Sequence, residues 1–66
     1  MTQAEFDFVV NHTVESIVAY LMEDENLTMQ EAFDRVYNSD TYLKLRNKST
    51  GLYRYSPAYV YEYLKR

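Results

Sequence analysis

Apolar positions recur along the first third of the chain with helical spacing. At about 100° per residue, Phe6, Val10, Val14, Ile17 and Leu21 fall on one face, with Val9, Thr13 and Tyr20 at its shoulder, the i, i+3/i+4 pattern of an amphipathic helix. Thr2 followed three residues later by Glu5 has the form of a capping box, in which each side chain satisfies a backbone N–H that the first helical turn leaves unpaired. The pattern predicts a helix over about 3–22. Phe8, Val18 and Met22 lie off the stripe, so part of the far face is apolar, which points to a second contact surface. Glu23, Asp24 and Glu25 would oppose the negative end of the helix dipole, and the helix is therefore expected to end near Met22, with the acids in a loop.

A second helix is predicted over 28–38. Thr28 and Glu31 repeat the capping box, Leu27 can pack on Ala32 as a hydrophobic staple, and Met29, Ala32, Phe33, Val36 and Tyr37 form the apolar stripe. Ser39 or Asp40 can cap a third helix, over 40–47, in which Tyr42 and Leu45 share a face. Strand geometry is the alternative there, because Tyr42–Arg46 and Leu52–Tyr55 could pair around a turn at Lys48-Ser49-Thr50-Gly51. Ser56-Pro57 is an N-cap followed by the residue best suited to the first helical position, which starts a fourth helix over 57–66 with Val60, Tyr61 and Leu64 inward. The expectation is an all-α bundle of about four helices, with a core of Phe6, Val10, Val14, Ile17, Leu21, Phe33, Val36, Leu45, Val60 and Leu64.

Sixty-six residues make one domain, 1–66. Without cysteine there is neither a disulfide staple nor a thiolate metal site, and burial alone supplies about 3–5 kcal/mol at this size, so self-association would help. Neither a signal peptide nor a membrane span is expected from the pattern, and the lack of cysteine suits a reducing cytoplasm. Net charge is −3, but it is unevenly spread. Residues 1–34 hold eight of the ten acids and no Lys or Arg, whereas residues 35–66 hold all seven basic residues. Either the two halves face each other, in the fold or in a dimer, or the basic half meets an anionic partner.

In the second half, Thr50-Gly51-Leu52-Tyr53, Ser56-Pro57 and Tyr59-Val60-Tyr61-Glu62-Tyr63-Leu64 resemble the C-terminal signature of a group of short bacterial proteins. Leu27-Thr28-Met29-Gln30-Glu31-Ala32 and Ser39-Asp40-Thr41-Tyr42 are similar to the same group, so the likeness covers roughly residues 27–66. The group carries no assigned activity. Its members look like companions of other small genes in the manner of toxin–antitoxin modules, which implies an antitoxin-like or adaptor role and transfers no site. In the group the last helix runs somewhat further than Arg66.

Catalysis is poorly supported, because a nucleophile needs an adjacent base held by a third group, and the chain has one His and no Cys. His12 falls on the polar face of the first helix, and one imidazole without a second ligand makes no metal site. A calcium loop starting at Asp24 would need Gly at its sixth position and a carboxylate at its twelfth, where Met29 and Arg35 stand. A single glycine cannot form a phosphate-cradling loop, and no cofactor is expected.

Tyrosine is the strongest signal. Of eight tyrosines, Tyr42, Tyr53, Tyr55, Tyr59, Tyr61 and Tyr63 crowd into the basic half beside Arg46, Arg54, Lys65 and Arg66. Tyrosine and arginine dominate binding hot spots, since a rigid ring covers much area at little entropic cost and keeps a polar tip. The competing explanation is core packing with hydroxyls at the surface. On the last helix Tyr59 and Tyr63 form a stripe apart from the Val60/Leu64 face. The leading reading is a non-catalytic protein-interaction module, self-associating or joined to another protein, with Tyr59, Tyr63, Tyr55 and Arg54 as contact residues. The alternative is a helix-turn-helix-like nucleic-acid binder in which Thr41, Lys44, Arg46, Asn47 and Lys48 face the groove. The net negative charge and a pI near 4.9 weigh against it.

Overall fold

A computed structural model describes residues 1–66 as four α-helices with no strand. These are α1 (Gln3–Glu25), α2 (Met29–Tyr37), α3 (Asp40–Leu45) and α4 (Pro57–Leu64). Two single 3₁₀ turns, Lys48–Thr50 and Leu52–Arg54, join α3 to α4. At 1.5 Å rise per residue, the 23 residues of α1 span the 35 Å long axis of the molecule, and α2 and α4 both pack along it.

Both capping boxes form. The Thr2 hydroxyl accepts from the Glu5 N–H at 3.1 Å while the Thr2 N–H donates to Glu5 Oε1 at 2.7 Å. The Thr28 and Glu31 pair repeats this at 3.2 and 2.8 Å. Ser39 caps α3 through the Tyr42 N–H, and Ser56 caps α4 through the Tyr59 N–H with Pro57 at the first helical position.

α1 does not stop near Met22. It continues through Glu23 and Asp24 to Glu25, and Asn26 closes it in the left-handed conformation at φ 56°. The unfavourable dipole costs roughly 0.3–1 kcal/mol per carboxylate, and partners from elsewhere in the chain offset it. Asp24 Oδ2 accepts from the Tyr61 hydroxyl at 2.7 Å, and Glu25 Oε1 pairs with Arg35 Nη1 at 2.8 Å.

α2 ends at Tyr37, within the expected bounds, whereas α3 ends at Leu45 rather than 47 and α4 at Leu64 rather than 66. The hairpin alternative for residues 42–55 is overturned, and local side-chain bonding is the reason. Asn47 Oδ1 accepts from the Ser49 N–H at 3.0 Å, and Thr50 Oγ1 reaches back to the Lys44 carbonyl at 2.6 Å and accepts from the Leu52 N–H at 3.2 Å. Gly51, at φ 72°, then redirects the chain so that Leu52 is buried.

Phe6, Val10, Val14, Ile17, Leu21, Val36, Leu45 and Val60 form the core as expected. Phe33 and Leu64, also expected there, are only half-buried and pack at its edge. Tyr61 and Ala32, both on expected inward faces, complete the core together with Val18 and Leu52, which were not expected there. Val18 was expected on the outer face of α1, but α2 lies against that side and covers it.

Candidate interaction surface

α4 divides its tyrosines by helical phase. Val60 and Tyr61 point at α1, where the Tyr61 ring tilts against Tyr20 at 5.1 Å, and this leaves Tyr59 and Tyr63 on the other side. Tyr55, just before the Ser56 cap, is 52% exposed and stacks on Tyr59, which is 42% exposed, with centroids 4.4 Å and planes 19° apart. An offset or parallel aromatic pair of this kind is normally found in cores or contacts; here its outer side faces solvent. Tyr63 is half-buried, and its hydroxyl accepts from Lys44 Nζ at 2.7 Å, a bond that raises the lysine above its ordinary pKa. The Arg54 guanidinium is likewise raised by its 3.3 Å hydrogen bond from Nε to the Tyr53 hydroxyl.

Lys44, Thr50, Leu52, Tyr55, Tyr59 and Tyr63 enclose a shallow cleft of about 210 Å³. Thr50 and Tyr55 also line a second, more polar cleft of about 360 Å³ with Lys48, Ser49, Gly51 and Arg54. An aromatic slot therefore runs into a cationic one. All four sequence-expected contact residues, Tyr55, Tyr59, Tyr63 and Arg54, border this continuous surface. Thr50, Leu52 and Lys48 border it too and were not singled out for it, since only the 3₁₀ turns bring them under α4.

The charge asymmetry is not neutralised within the chain. Only two ion pairs form, Arg35–Glu25 and Lys65–Glu62. Lys44, Arg46, Lys48, Arg54 and Arg66 have no carboxylate within 4 Å, and all follow residue 43.

Four of the five residues of the nucleic-acid alternative are buried or engaged by contacts within the fold. Thr41 is buried at 8% exposure, the Asn47 side chain is used to build the first 3₁₀ turn, Lys44 is tied to Tyr63, and Lys48 Nζ lies 5.0 Å from the Phe6 ring centroid. Arg46 is exposed. α3 has six residues, under two turns, which is short for a helix that must lie along a groove.

A further, apolar cleft of about 330 Å³ lies between α1 and α2, lined by Glu15, Val18, Ala19, Met22, Met29 and Phe33. Phe8, 73% exposed, stands on the outer side of α1, as does the exposed His12. The off-stripe position of Phe8 and Met22 in the sequence was the signal for this surface. No helix is long and apolar enough to cross a membrane. No protein-family model, curated protein or solved structure matches the chain.

Proposed function

We propose that the protein is a non-catalytic protein-interaction module that works through the tyrosine-lined face of α4. The observation that carries this reading is the solvent-facing Tyr55–Tyr59 stack beside Tyr63, bordered by cations that have no carboxylate partner in their own chain. Exposed aromatic rings cost solubility and supply little stability, whereas at an interface they cover large area at low entropic cost and Arg or Lys at the rim steers an acidic partner. The resemblance to companions of small paired genes suits an antitoxin-like or adaptor role.

The test is co-purification of the tagged full chain from its native host, with wild type compared against Tyr55→Ala/Tyr59→Ala and retained protein and nucleic acid both identified. The expected result is a stoichiometric protein retained by wild type and lost from the variant, with the helical circular dichroism of the variant unchanged. Nucleic acid retained equally by both, and released by salt, would refute the reading and move attention to Arg46 and Lys48.

A further inference from the structure

The outer side of α1 carries the chemistry opposite to that of the tyrosine cleft. Phe6 packs edge-on against Tyr53 of the second 3₁₀ turn at 5.1 Å. Phe8, two residues on, is rotated about 200° around the helix axis and so points away from the turns and the cleft they build. It is 73% exposed. Glu5, His12 and Glu15 share its face, and one and a half turns beyond Glu15 the same side reaches the Ala19/Met22 cleft. No Lys or Arg occurs anywhere in residues 1–34.

We propose that a second copy of this chain occupies the tyrosine cleft, seating the Phe8 face of its α1 on Tyr55, Tyr59 and Tyr63 with its carboxylates toward Lys48 and Arg54. The inference rests on the reading of that cleft as a protein-binding site and names its occupant. Size fits: a cavity of about 150 Å³ holds a benzene ring, and the cleft offers about 210 Å³. Charge fits: the cations at the cleft form no ion pair within 4 Å in their own chain, and Glu5 and Glu15 flank Phe8 without any cationic side chain to pair with. Because the Phe8 face and the cleft point in opposite directions, the contact is heterologous. Each copy that docks leaves one donor face and one cleft free, so copies add head to tail rather than closing as a two-fold dimer.

The purified protein is examined by sedimentation velocity over about two decades of concentration. Wild type is expected to grow beyond the mass of a dimer as concentration rises. Phe8→Ala and Tyr55→Ala/Tyr59→Ala, each altering exposed side chains only, should each weaken self-association at least about tenfold. Mixed in equal amounts, the two variants should form a dimer and stop there, since one copy retains the cleft and the other retains Phe8. Circular dichroism confirms that both stay folded. A wild type that remains monomeric, a Phe8→Ala variant that assembles like wild type, or a mixture that behaves as its separate components would overturn the proposal. Should wild type remain monomeric while a different protein is retained in the co-purification and lost with Tyr55→Ala/Tyr59→Ala, self-docking fails and the interaction reading stands. If Tyr55→Ala/Tyr59→Ala changes neither experiment, both fail.

Discussion

Replacing Tyr61 by Phe isolates the one hydrogen bond that ties the end of α1 to α4. The ring is 6% exposed and packs on Tyr20, and its hydroxyl donates to Asp24 Oδ2 at 2.7 Å. Phenylalanine keeps the packing and removes only the bond. A typical hydrogen bond contributes about 0.5–1.5 kcal/mol and one to a charged group about 1.5–3 kcal/mol, and because Asp24 is exposed and recovers water when the partner leaves, a value near the boundary of the two ranges applies, about 1–1.5 kcal/mol. For a domain of this size that lowers Tm by roughly 4–12 °C. The effect also depends on pH. Burial foremost, then the bond to Asp24, then the negative charges of Asp24, Glu25 and Glu62, push the Tyr61 hydroxyl up to about 12. A tyrosine in the unfolded chain ionises near 10, so between about 10 and about 12 the unfolded state has lost a proton that the folded state retains, and stability falls as pH rises through that window. Tyr61→Phe lacks this contribution. Urea unfolding followed by far-ultraviolet circular dichroism should show wild type more stable at neutral pH and the gap closing above pH 10. No loss at neutral pH, or a gap that stays constant to pH 12, would refute the role assigned to this bond.

Leu45, 1% exposed, is the main core contribution of α3; Leu45→Ala is expected to cost about 2–5 kcal/mol, comparable to the whole stability of a domain this small, so chemical denaturation should find the variant largely unfolded, and an unchanged midpoint would contradict the packing described. The carboxyls of Glu5 and Glu31 are held below the ordinary carboxylate range chiefly by the backbone N–H groups of Thr2 and Thr28. Their contribution is therefore complete above that range and is lost as pH falls through the lower folded-state values. Glu5→Gln/Glu31→Gln keeps the reciprocal capping bonds without a titrating group, and its thermal midpoint should fall less steeply in acid than that of wild type; parallel curves would show that the two boxes do not shape the acid response.

The helix starts were legible because capping is local. Thr2 with Glu5, Thr28 with Glu31 and Ser56 with Pro57 each settle their helix within a few residues, whatever lies elsewhere in the fold. The inward stripe of α1 was legible for the same reason, since helical phase alone groups Phe6, Val10, Val14, Ile17 and Leu21. The placement of Tyr59 and Tyr63 apart from Val60 likewise followed from phase.

Helix ends and burial at the margins depended on long-range contacts. α1 runs past three acids to Glu25 because Arg35 lies ten residues beyond that glutamate and Tyr61 thirty-seven beyond Asp24, partners that no local window contains. Val18 is buried and Phe33 only half-buried because α2 settles at one particular rotation against α1. Composition announced a basic, tyrosine-rich half. Only the folded chain decided that Tyr55 stacks on Tyr59, that Thr50 and Leu52 floor the cleft beside them, and that five cations are left without a carboxylate. Capping and helical phase act over three or four residues and are written in the sequence, whereas charge pairing and cleft shape depend on which distant segments meet, and packing decides that.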